Sequence, residues 1–327
     1  MKVLVTGGAG FIGTHVCREL MSRGAAVVVL DDLSTGSLAN LTGIPAEVHV
    51  GSVADDRAVT TAVDGADAVV HLAALASVPL SLEQPGRTHL VNVTGTLTVL
   101  EAARKSHAHV IVASSAAVYG DSSERIKSET VQLRPTSPYA TSKLATEAYA
   151  TSWQSSFGLP TLAFRFFNVF GPLQSPDHAY AAVVPAFVAA AVAGRPLRIH
   201  GDGRQTRDFV PVSTVARLIA DAVERRVTHL SPVNLALGGR TSILELARHL
   251  ETVTGRALDR EHLPVRPGDI RDSRADDSLL RQLFPDLKPT SLHDALRETV
   301  AWWKAAAGAA LDGAAAGAAL DGATAAV

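Results

Sequence analysis

The sequence predicts an α/β protein: a doubly wound, mostly parallel sheet with helices on both faces, followed by a smaller α/β domain. Three observations predict it. The chain opens on a β-rich run, Lys2 to Thr6, then a glycine turn, Gly7-Gly8-Ala9-Gly10-Phe11-Ile12-Gly13, then helical periodicity from Thr14 to Arg23. Strand-like and helix-like stretches go on alternating, the pattern of parallel strands joined by crossover helices. The length, 327 residues, suits roughly two domains.

Each element follows in order. The spacing Gly7-x-x-Gly10-x-x-Gly13 between a strand and a helix is a dinucleotide-binding fingerprint of the Rossmann type. Gly7 permits the tight turn, and Gly10 lets a pyrophosphate approach the positive helix N-terminus beside Phe11 and Ile12. Gly13 lets helix and strand pack closely. Ala25 to Leu30 is the second strand, ending in Asp31-Asp32. An acid there accepts hydrogen bonds from the adenosine ribose hydroxyls and repels a 2′-phosphate, so NAD is favoured over NADP. Asp31 is the expected ligand and Asp32 a turn cap, with Ser34 and Gly36 lining the adenosine side. Glu47 to Val50 is the third strand, with Ser52 and Val53 beyond it at the cofactor, and Ala54 to Val63 is a helix.

Ala68 to Leu72 is a buried strand ending in His71-Leu72-Ala73-Ala74. The small residues allow a cofactor to lie against backbone, and His71 reads as a core histidine. Thr88 to Lys105 is a long helix carrying Asn92, placed to reach back to this strand end. Val110 to Ala113 is the next strand, followed by Ser114-Ser115-Ala116-Ala117-Val118-Tyr119-Gly120. Ligands of such a sheet sit beyond the carboxyl ends of its strands. Gly10, Asp31, Ala73, Ser115 and the helix of Tyr139 should therefore meet at one edge. That helix begins at Ser137, an N-cap, with Pro138 in its first turn. Tyr139 and Lys143 are four apart and share a face. A neighbouring ammonium favours the phenolate, which suits Tyr139 for general-base work.

Charged residues are 19%, hydrophobic residues 47% and the formal net charge is -2, so neither a nucleic-acid footprint nor a basic membrane surface is expected. Cys17 is the one cysteine; it excludes an internal disulfide and reads as buried filler. The chain starts on a strand with no charged and apolar leader pattern, so no secretory signal is expected. The longest apolar run, Tyr180 to Gly194, contains Pro185 and falls short of the ~20 residues of a membrane span. A soluble cytoplasmic protein without a metal site is the expectation.

These marks together resemble the extended short-chain dehydrogenase/reductase enzymes that act on nucleotide sugars, near the UDP-hexose 4-epimerases. Besides the glycine turn, Asp31-Asp32 and His71-Leu72-Ala73-Ala74, the matching stretches are Ser114-Ser115-x-x-Val118-Tyr119-Gly120 and Tyr139-x-x-x-Lys143. Further on come Arg165-Phe166-Phe167-Asn168-Val169-Phe170-Gly171-Pro172, Gly201-Asp202-Gly203-x-Gln205-x-Arg207-Asp208-Phe209-Val210 and Arg266-Pro267-Gly268-Asp269. The resemblance covers residues 1 to 304. It implies an NAD-binding domain over 1–167 and a substrate domain over 168–304, with some segments returning to the first. A homodimer would pair the helices near Thr88–Lys105 and Pro138–Phe157.

The resemblance also implies roles. Tyr139 is the acid/base at the sugar 4-hydroxyl, Lys143 holds the nicotinamide ribose, and Ser115 bonds the 4-oxygen. Asn168, Arg207, Arg266 and Asp269 hold the nucleotide diphosphate, whose oxygens suit the planar arginine fork. Tyr180, Val183 and Ser273 line the sugar side. Relatives that eliminate water or decarboxylate carry an acid after the motif serine; here Ala116 and Ala117 stand there, and neither moves a proton. That leaves oxidation and reduction at C4, hence a 4-epimerase of a UDP-sugar.

A small residue at Ser273 admits a 2-acetamido sugar, so UDP-GlcNAc/GalNAc and UDP-Glc/Gal both fit. Ser175 stands where glucuronate-specific relatives tend to place an arginine, while Arg271 keeps a glucuronate open. A 4-ketoreductase or dehydratase variant and a non-catalytic NAD-binding regulator are the competing readings. Ser242 with Glu245 marks a capping box, and Trp302-Trp303 closes the last ordinary helix as a packing pair. The tail, 305–327, repeats AAAGAALDG twice and is expected to be poorly ordered.

Overall fold

The structure, a computed structural model, describes residues 1–175, 182–265 and 271–307. The chain divides into two compact units. The first comprises Met1–Val169, Thr206–Thr241 and Arg271–Thr290; the second comprises Phe170–Gln205, Ser242–Ile270 and the residues from Ser291 onward.

The first unit is built on a seven-stranded parallel sheet. Its strands are β1 (Lys2–Thr6), β2 (Ala26–Asp31), β3 (Glu47–Val50), β4 (Ala68–His71), β5 (His109–Ser115), β6 (Thr161–Phe166) and β7 (Val233–Leu235), in the spatial order β3-β2-β1-β4-β5-β6-β7. The order reverses direction beside β1, which opens a crevice at the strand ends. Thr6 pairs with Leu30 and with His71, and Ser115 pairs with Phe166, so the carboxyl ends are level. Alternate residues face opposite sides. Val3, Val5, Val27 and Val29 pack with helices α1 (Phe11–Ser22) and α6 (Val212–Glu224) in one core. Leu4, Val28, Leu30 and Val69 pack with α2 (Asp56–Val63) and α3 (Gly95–Lys105) in the other. Cys17 lies in the first core, where burial pushes its thiol up to about 12.

Of the strands expected up to β5, β1 and β3 have the expected bounds and the ends of β2, β4 and β5 are shifted by one or two residues. Two differences matter. β6 and β7 carry Arg165 and Asn234 inside otherwise apolar strands, so their patterns do not read as buried strands; both side chains are buried through long-range partners. The helix expected from Thr88 to Lys105 is a composite: Pro85–His89, a π turn at Leu90–Thr94, then α3. Thr96 Oγ1 donates to the Asn92 carbonyl at 2.6 Å.

Helix α4 (Pro138–Phe157) starts and stops as its sequence dictates. Ser137 Oγ accepts the Ala140 N–H at 3.1 Å, and Pro138 opens the helix. Gly158 ends it at φ +68°, a conformation a side chain would strain.

In the second unit, α5 (Val183–Val192) precedes the strand Leu197–His200, which pairs in parallel with Arg260–Leu263. Helix α7 (Ile243–Thr254) starts on the reciprocal Ser242–Glu245 capping box. Residues 292–307 are helical, with the Trp302 and Trp303 rings edge to face. Among the described residues no helix is long and apolar enough to cross a membrane.

Candidate functional site

The carboxyl edge of the sheet gathers the glycine turn, the Asp31 loop, the β4 end, Ser115 and the first turn of α4. The turn is compressed to backbone contact. A Cβ on Gly7, where φ is +71°, would meet Ala73 N at 2.8 Å, and one on Gly13 would meet Gly7 O at 2.1 Å. Helix α1 follows its N-cap Gly10 with no side-chain cap bond; such an uncapped helix start offers N–H groups to an anion. Phe11 and Ile12 open that helix, half-buried.

Asp31 is buried at the end of β2. Its Oδ2 accepts the Ala9 N–H and its Oδ1 the Leu33 N–H, each at 2.9 Å, which ties the second strand end to the glycine turn. The loop beyond folds back: a Cβ on Gly36 would stand 3.1 Å from Asp31 Oδ1. Asp32 is the turn cap, accepting the Ser34 N–H at 2.9 Å and its hydroxyl at 2.6 Å. Ala73 donates its N–H to Thr6 Oγ1 at 3.3 Å, and Leu72 and Ala74 flank it, half-buried.

Three other expected cofactor residues, Asn92, Val53 and Ser52, make contacts within the protein. Asn92 is buried, its Nδ2 donating to Ser142 Oγ at 2.9 Å and to the Leu75 carbonyl at 3.3 Å. Its Oδ1 accepts the Leu75 N–H at 2.8 Å. Asn92 thus straps the loop after β4 to α4. Val53 turns its side chain into the core, where a Cβ on Gly95 would come within 2.6 Å of it. Ser52 accepts the Ala54 N–H at 3.2 Å, a local turn bond.

His71 is the core histidine expected. It bonds Thr6 Oγ1 at 2.8 Å and Thr96 Oγ1 at 3.1 Å, and burial, followed by the Lys143 charge, pushes it down to about 3. The imidazole is neutral at physiological pH.

The proton-handling trio meets at the ends of β5 and α4. Ser115 Oγ caps the short turn Ala116–Tyr119, accepting the Ala117 N–H at 3.2 Å, and bonds the Tyr139 hydroxyl. Lys143 Nζ donates to the Ala113 carbonyl at 2.8 Å, and burial pushes its ammonium down to about 8. One expectation is corrected here. Burial raises the Tyr139 phenol above its ordinary value, and the opposing pull comes from Ser115, not Lys143.

Behind this trio lies a polar network the sequence reading left without roles. Glu147, one turn after Lys143, accepts from Arg165 Nε and Nη2, each at 2.9 Å, and from Ser114 Oγ at 2.5 Å. Arg165 Nη1 donates to Tyr119 Oη at 2.9 Å, and Tyr119 donates to Asn234 Oδ1 at 2.6 Å. The available signal was the continued spacing Tyr139-x-x-x-Lys143-x-x-x-Glu147 on one helix face.

Of the expected substrate residues, Arg207 and Ser273 are register partners on adjacent parallel strands. Asn168 is exposed and donates Nδ2 to the Asp208 carbonyl at 3.1 Å. Val183 opens α5 in the second unit, half-buried. Tyr180, Arg266 and Asp269 lie outside the described residues.

A family model described as "NAD dependent epimerase/dehydratase family" matches residues 3–238. The UDP-glucose 4-epimerase of Mycolicibacterium smegmatis is 34% identical over 317 residues, covering 93% of this chain and 99% of that protein. Among solved structures, a UDP-N-acetylglucosamine 4-epimerase from Methanobrevibacter ruminantium, in complex with UDP-N-acetylmuramic acid, superposes with a TM-score of 0.87. It is 36% identical, covering 92% of this chain and 97% of its own. The Thermus thermophilus UDP-glucose 4-epimerase, in complex with NAD, gives a TM-score of 0.81 at 34% identity, covering 93% and 99%.

Proposed function

We propose that this chain, which belongs to the NAD dependent epimerase/dehydratase family, is an NAD-dependent 4-epimerase of a UDP-sugar, of the GlcNAc/GalNAc or Glc/Gal type. The observation that carries the reading is the meeting of Ser115, Tyr139 and Lys143 beside the glycine turn, with Ala116 and Ala117 where a second proton carrier would stand. The nearby carboxylate of Glu147 is buried and committed to Arg165 and Ser114.

The residues present fit NAD. The side-chain-free cradle of Gly7, Gly10 and Gly13 and the uncapped start of α1 suit a pyrophosphate, and Asp31 suits a ribose diol. Bound NAD would supply a hydride acceptor and donor at the sugar C4. Tyr139 takes the 4-hydroxyl proton and returns it after the transient 4-keto sugar has presented its other face. Ser115 has one hydroxyl proton: it donates it to Tyr139, favouring the phenolate, and to the sugar 4-oxygen instead once Tyr139 has taken the 4-hydroxyl proton. Lys143 adds positive charge at the same strand end, and Asn168 and Arg207 hold the diphosphate while the sugar turns.

The same proposal includes a homodimer through the helices around 85–105 and 138–157, where Leu90 and Phe157 expose apolar surface. It places the protein in the cytoplasm; recovery of the native protein outside the cell or with membranes would remove that part.

The test is to incubate the purified protein, sized by light scattering, with a panel of UDP-sugars and no added cofactor, reading products by NMR. Interconversion of C4 epimers is expected from a dimer. Elimination products, carbon dioxide release or net NADH consumption would contradict the reading, as would bound NAD with no turnover on any sugar. A monomeric mass would remove the dimer alone.

Gly13→Ala is expected to purify with less than about a tenth of the wild-type NAD, because its methyl would collide with the backbone at Gly7 O and Gly8 Cα. Nucleotide released on denaturation and measured by chromatography checks this; wild-type occupancy would mean the turn does not carry the cofactor.

A further inference from the structure

We infer that Asp208 is a positioning residue that registers Asn168, Arg207 and Ser273 through one buried junction. The inference rests on the assignment of those three residues to the UDP-sugar. Asp208 is fully buried. Its N–H donates to the Ser273 carbonyl at 3.1 Å, and its own carbonyl accepts Asn168 Nδ2 at 3.1 Å. The Asn168 carbonyl in turn accepts the Val210 N–H at 3.0 Å. Arg207 precedes Asp208 in the chain and faces Ser273 in strand register. One residue therefore holds one substrate residue by its carbonyl, a second by its N–H and a third by its peptide bond.

The side chain anchors this junction to the loop after β7. Oδ1 accepts the Leu237 N–H at 3.3 Å, and the N–H groups of Gly238 and Gly239 also bond the carboxylate. The loop is shaped around these acids. A Cβ on Gly239 would stand 3.2 Å from Asp208 Oδ1, and one on Gly238, at φ +67°, would stand 3.1 Å from Asp277 Oδ1. Among the described residues, Asp208 Oδ2 accepts no bond. Burial pushes the carboxyl up to about 6, against the pull of the three N–H groups. A buried carboxylate held by peptide N–H groups makes charge-assisted bonds stronger than neutral ones, and removing the charge weakens all of them together. Asp208 is committed to this loop, so it acts through Asn168 and Arg207.

The test is Asp208→Asn in the full-length, NAD-containing protein, which keeps the volume and removes the charge. UDP dissociation constant and UDP-sugar KM should rise about tenfold, with kcat within about threefold and bound NAD unchanged. Gly239→Ala should raise both constants similarly by crowding Oδ1, and the double variant should lose no more than either single change. Unchanged UDP affinity in Asp208→Asn overturns the inference, as does a fall in kcat and NAD content with KM unmoved. If Asp208→Asn fails to fold, Gly239→Ala decides, and wild-type UDP affinity there overturns it. Wild-type protein that binds no UDP defeats the underlying assignment and this inference with it, a result distinct from wild-type binding that the variants leave untouched.

Discussion

Tyr139→Phe should lower kcat for 4-epimerisation by roughly 10³-fold while UDP-sugar affinity stays within about threefold, because general acid–base catalysis is the contribution removed. Phenylalanine keeps the ring and deletes only the oxygen bonded to Ser115. Neither neighbour replaces it. Lys143 is a donor already turned to the Ala113 carbonyl, and Ala116 and Ala117 carry no proton. Since burial raises the phenol, ionisation depends on positive charge and hydrogen bonds gathered at the strand ends when cofactor and sugar are in place. Calorimetric titration with UDP-sugar separates binding from turnover. A phenylalanine variant that epimerises at the wild-type rate would end the assignment of Tyr139.

Arg165→Met should lower the thermal unfolding midpoint by on the order of 10 °C, the equivalent of about 3–5 kcal/mol for breaking a buried ion pair. Arg165 and Glu147 are each 3% exposed. Burial disfavours the guanidinium charge, but the two bonds from Glu147 outweigh it and hold Arg165 above its ordinary value. Its guanidinium also lies 4.9 Å from the centre of the Tyr119 ring. Removing the cation leaves a buried carboxylate with Ser114 as its remaining donor. The double change Glu147→Gln with Arg165→Met removes both charges and should recover at least about half of the loss. Circular dichroism melts decide it: a single variant melting with wild type would mean the pair contributes nothing to stability. Ser114 neighbours Ser115, and Glu147 shares α4 with Tyr139 and Lys143, so the network also braces the trio.

Much of the molecule was legible where the signals are local. The Ser137-Pro138 start of α4 follows from neighbours a few positions apart, as do its glycine stop and the Ser242–Glu245 box. Four of the first five strands, all but Glu47–Val50, are short and largely apolar runs. What escaped were elements whose polar residues find distant partners. Arg165 in β6 meets Glu147 18 residues away, and Asn234 in β7 meets Tyr119 115 residues away. A buried polar group is tolerable only when bonded, and nothing adjacent in the chain announces the bond.

The sequence by itself determined the α/β class, the glycine turn with Asp31 at the next strand end, and the four-residue spacing that puts Tyr139 and Lys143 on one helix face. Those rest on backbone conformation and spacing, which neighbouring residues dictate. Only the tertiary structure decided which polar side chains bond one another inside the protein. Asn92 bonds Leu75 and Ser142, Glu147 bonds Arg165, and Asp208 bonds the loop after β7. Burial also raises the Tyr139 phenol, a cause that its spacing to Lys143 does not reveal. Desolvation and hydrogen-bond satisfaction are set by everything packed around a group, and that surrounding exists only once the chain has folded.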